Sequence, residues 1–183
     1  MSISVSLLGP LFALVSVLSA VGLSHAEPEA PWITVSPPDE PFSVQMPGKP
    51  DRKTALTDTI VGDLTRVTFA FDEGGMELVV TRIDLPGVAT FFMSDESLYQ
   101  NVREGFLKGS DKTETSYGEA ERAGWEGRRL EFTRRGGGPE REVRAEFFLV
   151  GDRMVTFMAV TPAGKSLSGL NRFLESISFK EVE

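Results

Sequence analysis

Apolar and polar residues alternate along many short stretches of this chain, and that pattern predicts a protein built mostly of β-strands. Residues 42–46 alternate strictly, and the Pro-Gly pair at 47–48 then turns the chain. By the same criteria, further strands are predicted at residues 32–35, 54–61, 64–71, 76–84, 113–121, 128–134, 142–150, 154–160 and 177–180.

Short glycine-containing connections predict how these strands pair. Gly62-Asp63 and Gly151-Asp152 are two-residue links of the kind that joins strands in tight hairpins. Residues 136–139, with the sequence Gly-Gly-Gly-Pro, connect two more strands. Because a hairpin joins antiparallel neighbours, the sheet is predicted to be mostly antiparallel.

Two segments have the apolar spacing of amphipathic helices. The first begins after Ser94, a preferred N-cap residue that two acids follow, and it ends at Lys108-Gly109. The second covers residues 166–176. The apolar face consists of Leu98, Tyr99, Val102 and Phe106 in the first helix and of Leu167, Leu170, Phe173 and Leu174 in the second.

Two of the strand segments, residues 147–150 and 155–160, are apolar on both of their alternating faces. A strand with one solvated face does not have this composition, so we expect both strands in the middle of the sheet with cover on both sides. The predicted fold class is therefore α+β, a mostly antiparallel sheet flanked by helices.

The N-terminal segment indicates export. Residues 1–26 carry no Asp, Glu, Lys or Arg, and they include an apolar run at 11–18. Small side chains at positions 24 and 26 suit signal peptidase, so we expect a signal peptide cut after Ala26 and a periplasmic or secreted protein. The alternative is an uncleaved membrane anchor, because the usual positive residues are missing, although Gly-Pro and several serines weaken such a span.

This segment divides the chain into three parts. Residues 1–26 are the expected signal peptide, and residues 27–41 are a Pro- and Glu-rich lead-in that contains one short strand. Residues 42–183 are long enough to form a single α+β domain with its own core.

Charge and composition exclude several functions. The net charge of −8 is against binding to nucleic acid, which relies on a basic surface. The chain has no Cys, and its one His is His25, inside the expected signal peptide. Catalysis by a thiol or an imidazole and metal sites built on either are therefore excluded after cleavage. We expect no cofactor, no metal and no enzymatic activity.

The order of several segments resembles a known family. Trp32 precedes Ser-Pro-Pro-Asp-Glu-Pro at 36–41 and Phe-Ser-Val-Gln-Met-Pro-Gly-Lys-Pro at 42–50, and Gly-Trp-Glu-Gly-Arg-Arg follows at 124–129. Arg-Ala-Glu-Phe-Phe-Leu-Val-Gly-Asp-Arg occupies 144–153, and Arg-Phe-Leu-Glu-Ser-Ile-Ser-Phe occupies 172–179. The chain thus resembles exported bacterial proteins with a PsbP-like (Mog-type) domain, over nearly all of its length after residue 26. The resemblance implies an α/β/α sandwich and an envelope location, and it supplies no active-site residues.

Arginines are concentrated between residues 128 and 153 and could form an anion site. One strand register explains most of them instead, because it places Glu131 opposite Arg144 and Arg129 opposite Glu146 while it also matches the apolar positions. We therefore expect these arginines to form surface pairs. The register leaves Arg134, Arg135 and Arg141 unpaired at the tip of the hairpin.

The remaining candidates are a partner surface and a carboxylate site. Phe91, Phe92 and Met93 lie in a predicted loop at 88–94, where packing onto the following helix is the default interpretation. Together with Trp125, Arg134 and Arg135 they are the candidate partner surface. The acids Asp58, Asp72, Glu73, Asp84, Asp95, Glu96 and Asp111 mostly occupy turns or a helix start, where acids are expected in any case.

The sequence therefore predicts a non-catalytic envelope domain that binds a protein partner or a small apolar ligand. One alternative is a hydrolase that uses carboxylates, with or without a divalent metal. The other is a membrane-anchored assembly factor, which requires the N-terminal segment to be retained.

Overall fold

The structure is a computed structural model that describes residues 31–59, 62–109, 111–136 and 138–180. The helices in these ranges are α1 (Gly87–Phe92), α2 (Asp95–Leu107) and α3 (Ser168–Glu175). The strands are β1 (Ile33–Val35), β2 (Phe42–Met46), β3 (Asp51–Thr59), β4 (Gly62–Glu73), β5 (Met76–Asp84), β6 (Lys112–Arg122), β7 (Trp125–Arg134), β8 (Arg141–Val150), β9 (Arg153–Pro162) and β10 (Ser178–Phe179). The expected signal peptide and its cut after Ala26 lie outside the described residues.

Seven of the described strands form one antiparallel sheet in the order β3-β4-β5-β9-β8-β7-β6. Two meanders, β3 to β5 and β6 to β9, are joined where β5 pairs with β9. The central position of β9, with β8 beside it, confirms the prediction made from their apolar residues. The remaining strands form a small sheet in the order β1-β2-β10. The α+β class and the mostly antiparallel pairing are confirmed.

One face of the large sheet, called the closed face below, is covered by α3 and the small sheet. The side chains of Phe42, Phe148, Phe157 and Phe173 are completely buried there. The rings of Phe42 and Phe157 meet edge to face, with centroids 5.6 Å apart. Burying one such side chain contributes about 1.5–3 kcal/mol, so this face supplies much of the stability of the fold.

The opposite face, called the open face below, has α2 packed over β6 to β9. The predicted N-cap is confirmed, because the Ser94 hydroxyl accepts a hydrogen bond from the Ser97 backbone N at 3.2 Å. Leu98 and Tyr99 are buried, as the helical spacing predicted. An ion pair between Arg103 and Glu114, 2.7 Å apart, ties α2 to β6.

One helix is too narrow to cover the whole open face. Helix α2 is about 20 Å long and about 10 Å wide, at 1.5 Å per residue. The sheet is about 29 Å across, because its strands lie about 4.8 Å apart. The half of the sheet made by β3, β4 and β5 therefore extends beyond the helix. None of the helices in the described ranges is long and apolar enough to cross a membrane.

The predicted turn at Gly62-Asp63 is wrong. Gly62 pairs with Thr59 and Asp63 with Asp58, so both residues belong to β4. The two residues between the strands, 60 and 61, lie outside the described part of the chain. In this register residues 51–53 pair with β4. A turn at 62–63 would have left them opposite the end of that strand.

The loop predicted at residues 88–94 is also wrong, because the short helix α1 occupies Gly87–Phe92. The Pro-Gly pair at 86–87 had indicated a turn, and the following aromatic residues have low helix propensity. The second two-residue link is confirmed, since Val150 pairs with Arg153 across Gly151-Asp152. Gly151 has a φ of 63°, which its lack of a Cβ permits.

Candidate functional site

A groove of about 1200 Å³ lies on the open face, beyond the edge of α2. Strands β4, β5 and β9 make its floor, α2 makes one wall, and β3 makes its outer edge. Leu98, Val102 and Phe106 line the wall, and Ile83 and Met154 line the floor. Small-molecule pockets typically measure about 300–1,000 Å³, so the groove has room for a small ligand.

A row of polar side chains crosses this apolar floor. Thr68 lies opposite Thr81 on β5, which in turn lies opposite Thr156 on β9. Lys53 lies opposite Thr68 and extends the row to the outer edge. With strands about 4.8 Å apart, the row is about 14 Å long. Apolar positions of β5 and β9 flank it on both sides, namely Ile83 with Met154 and Val79 with Met158.

The charge of the groove is opposite in sign to that of the protein. The whole chain has a net charge of −8. The described residues that line the groove include two cations, Lys53 and Arg66, and no Asp or Glu. Neither cation forms an ion pair with another described residue. An anionic group in the groove would therefore find positive charge that no carboxylate of the described chain neutralises.

Helix α1 lies at the rim of the groove, because residues on either side of it, Pro86 and Met93, line the groove. The side chains of Phe91 and Phe92 are 82% and 78% exposed, and their rings meet edge to face at 5.0 Å. The default interpretation, that both pack onto the core or the following helix, is wrong, because both residues are exposed. Met93 is partly buried against the core under α2, as expected.

The other predicted members of the partner surface do not join this group. Trp125 is partly buried on the closed face, with its ring 5.5 Å from that of Phe179. Arg134 and Arg135 lie at the tip of the hairpin formed by β7 and β8. Arg135 was expected to be unpaired, and it instead contacts Glu140 at 2.9 Å, because this acid lies across the hairpin tip.

The arginine pairing itself is largely confirmed. Glu131 lies opposite Arg144 and Arg129 opposite Glu146, as the predicted register requires. The surface location is wrong for Glu146, whose side chain is completely buried on the closed face. Arg129 and Arg122 both approach its Oε1 oxygen to 2.8 Å, so two cations compensate the buried charge. Arg141, also expected to be unpaired, lies 3.7 Å from Glu77.

A second buried carboxylate, Glu40, also lies on the closed face. Arg82 approaches it to 3.0 Å and Arg52 to 3.6 Å. Burial raises the pKa of Glu40 above its ordinary value, and the nearby Arg82 charge opposes that rise. Its partners are cations of the fold, and it does not line the groove. We therefore interpret it as a structural ion pair.

Two of the predicted carboxylates pair with arginines and do not line the groove. Asp84 contacts Arg82 at 2.8 Å, and Glu96 contacts Arg128 at 2.7 Å. The side chain of Asp58 lies outside the described part of the structure. Among the described residues, no cluster of His, Cys, Asp and Glu could hold a metal ion.

The groove is the feature that the sequence did not predict. Arg66 and Thr68 alternate with the buried Val67 and Phe69 along β4. That alternation is typical of a strand with one solvated face, so it gave no sign of a ligand site. A usable signal was the number of predicted strands, since one amphipathic helix cannot cover a wide sheet.

Comparisons with known proteins place the fold. No family model and no curated protein matches the chain. Among solved structures, the cyanobacterial PsbP protein (CyanoP) of Synechocystis sp. matches 87% of this chain and 99% of its own, with a TM-score of 0.56 and 15% identity. This likeness confirms the PsbP-like fold.

Two further structures are less similar. A Pseudomonas aeruginosa protein of unknown function matches 60% of this chain and 83% of its own, with 13% identity and a TM-score of 0.41. A Bacteroides thetaiotaomicron protein matches 76% of this chain and 45% of its own, with 11% identity and a TM-score of 0.39.

Proposed function

We propose that this chain, with its PsbP-like fold, is a non-catalytic binding protein of the bacterial cell envelope that holds a small apolar ligand in the groove beside α2. The observation that carries the proposal is the groove itself, about 1200 Å³ between α2 and the uncovered half of the sheet. A concave and mostly apolar pocket with a few polar groups is the usual form of a small-molecule site.

The lining of the groove favours binding over catalysis. Hydrolysis by carboxylates requires two acids that converge on one substrate, and the described lining contains none. Beyond residue 25 the chain also offers no imidazole and no thiol for proton transfer or nucleophilic attack. The hydrolase alternative therefore has no supporting observation in the groove.

Partly exposed apolar side chains in the groove provide the driving force for binding. Val102 and Phe106 on α2 are only partly buried, and Ile83 on the floor is partly buried as well. A ligand that covers them gains about 25 cal/mol for each Å² of apolar surface removed from water. Ligand binding thus completes the cover that α2 leaves unfinished.

The proposal is tested with N-phenyl-1-naphthylamine, a neutral dye whose emission rises in an apolar site. The variant Thr81→Trp fills the middle of the floor with a side chain that suits a strand. We expect it to weaken dye binding by at least about tenfold, which corresponds to about 1.4 kcal/mol.

The matched control is Thr113→Trp, an exposed position on β6 at the other edge of the sheet. It adds the same side chain and should leave the affinity for the dye unchanged. If the wild-type protein does not bind the dye, or if both variants bind it as the wild type does, the groove is not the ligand site.

The exposed aromatic pair favours a second candidate function, the docking of an envelope protein at the rim of the groove. Because the chain has no Cys, Phe92→Cys provides a single attachment point for a crosslinker. Leu56→Cys, at a leucine 73% exposed on β3, is the control. A partner specific to α1 would be captured by the first variant only, and identical products from both would exclude docking at α1.

The envelope location rests on residues 1–26 and on the resemblance to exported proteins. The measurement is the intact mass of the protein isolated from its own cells. A mass that begins at Glu27 agrees with a cleaved signal peptide. A mass that includes residues 1–26 would instead favour the membrane-anchored assembly factor.

A further inference from the structure

We infer that the ligand of the groove is an anionic amphiphile, a molecule with one negatively charged head group and an alkyl chain. This inference rests on the proposed function and adds the chemical class of the ligand. It is argued from the position of the two cations, from the polar row on the floor, and from the sign of the charge on the rest of the protein.

The two cations are placed to hold one head group together. Lys53 lies opposite Thr68, and Arg66 is two residues from Thr68 on the same strand, so it is the diagonal neighbour of Lys53. Diagonal neighbours on one face of an antiparallel pair lie about 7–8 Å apart at the backbone, within the reach of long side chains. A carboxylate or phosphate between them can accept hydrogen bonds from both.

Both cations are available for such a contact. Their side chains are exposed, and neither pairs with a carboxylate of the described chain. The arginines elsewhere in the sheet behave differently, since Arg82, Arg128 and Arg129 each contact an acid at 2.7–2.8 Å. Lys53 and Arg66 therefore differ from these arginines in facing a groove without an acid of its own.

The polar row gives the ligand its direction. It begins at Lys53 on the outer edge of the sheet and ends about 14 Å away at Thr156 on the central strand β9. The apolar wall of α2 stands at the far side from the cations. A head group at the edge thus leaves the alkyl chain directed toward Val102 and Phe106, where apolar contacts are available.

The net charge of the protein shows that a preference for an anionic ligand would have to come from the groove itself. A chain with a net charge of −8 repels anions at long range. A preference for an anionic ligand over a neutral one of equal length must therefore arise locally, from the cations that line the site. The net negative charge of the protein alone would favour the neutral ligand over the anionic one.

The experiment compares dodecanoate with dodecan-1-ol, each below the concentration at which it aggregates, as competitors of the bound dye. We expect the wild-type protein to bind dodecanoate at least about tenfold more tightly, as charge-assisted hydrogen bonds are stronger than neutral ones. The double variant Lys53→Gln/Arg66→Gln should lose this preference and keep its affinity for the dye and for dodecan-1-ol. Added salt should reduce the preference, because both cations are exposed.

The control variant Lys165→Gln/Arg135→Gln removes one lysine and one arginine at exposed positions outside the groove. It should keep the full preference for dodecanoate. The anionic ligand is excluded if the wild-type protein binds the dye but prefers neither competitor, or if the groove variant keeps the preference. In either case the proposed function, binding of an apolar ligand in the groove, still stands. If the wild-type protein does not bind the dye, the proposed function itself fails.

Discussion

The two faces of the large sheet are covered in different ways, and the difference explains why only one of them carries the groove. On the closed face, α3 and three short strands cover a core of completely buried phenylalanines. On the open face, α2 packs over β6 to β9 and leaves a groove whose floor is made by β4, β5 and the near side of β9. The same sheet is therefore fully covered on one side, whereas on the other side a core under α2 lies beside an uncovered groove.

The comparison also shows how β9 serves both faces. Its odd-numbered residues, such as Phe157, are buried on the closed face, whereas Thr156 and Met158 lie under the groove. Adjacent residues of one strand thus contribute to the closed-face core and to the lining of the groove, respectively. Substitutions at neighbouring positions can separate the two contributions.

The largest expected effect is on the closed face. Phe157→Ala removes a completely buried ring that contacts Phe42 and Phe148, and we expect the free energy of unfolding to fall by about 3–5 kcal/mol. Met158→Ala, on the open face, should cost less than half as much, because its side chain is only partly buried. Chemical denaturation measures both. Equal losses would show that the open face is packed as tightly as the closed face.

The next largest effect concerns the buried carboxylate of the closed face. Glu146→Ala leaves Arg122 and Arg129 without their shared partner, and we expect a loss of about 2–3 kcal/mol in the free energy of unfolding. Glu131→Ala, on the same hairpin, removes a partner that lies 3.6 Å from Arg144 and is partly exposed. This control should cost about 0.5 kcal/mol or less. A similar cost for both variants would contradict the structural role assigned to Glu146.

These elements also show how far the sequence could predict the structure. The register of β7 and β8 was predictable because charge and apolar pattern agreed at Glu131 and Arg144. The start of α2 was predictable because capping by Ser94 is a local interaction. The turn between β3 and β4 was not predictable, because the local preference of Gly62-Asp63 for a turn competes with the pairing of all the other residues of the two strands.

The groove could not be predicted, for a different physical reason. Lys53 and Arg66 have the pattern of a solvated strand face whether or not a groove lies above them. Whether a helix covers them depends on tertiary packing, which the pattern of a single sequence segment does not reveal. For the same reason Glu146 gave no sign that it is buried, since its burial depends on α3 and Arg122.

Two glycines, Gly127 under the closed face and Gly105 beside the groove, differ in the space available for an added side chain. A Cβ at Gly127 would lie 2.5 Å from the Phe147 carbonyl oxygen and from the Phe148 ring, so Gly127→Ala should cost about 1–3 kcal/mol. A Cβ at Gly105, an exposed residue of α2 that lines the groove, meets nothing within 4 Å. Gly105→Ala should therefore stabilise the protein by about 0.5–1 kcal/mol through helix propensity. Thermal unfolding measures both, and a destabilised Gly105→Ala would mean that the open face has no free space.

The smallest expected effect is a difference in the pH dependence of the two faces. The hydrogen bond from Arg103 holds the pKa of Glu114 below its ordinary value of 4.5. The stabilisation from this pair is therefore complete above pH 4.5 and is lost as the pH falls through the lowered pKa. For Glu40, burial raises the pKa above 4.5, so its contribution is complete below that value and is lost as the pH rises through the raised pKa.

The measurement is the free energy of unfolding between pH 3 and pH 7 for the wild type, Glu114→Gln and Glu40→Gln. At neutral pH the first substitution should cost a few tenths to about 1 kcal/mol, as expected for a partly exposed ion pair, and the cost should shrink toward pH 3. Relative to the wild type, Glu40→Gln should become less stable as the pH falls, because the wild-type carboxyl then no longer carries a buried charge. Two pH dependences of the same sign would contradict the assignment, since a carboxyl stabilised by an arginine at the surface and one destabilised by burial must respond to protons in opposite directions.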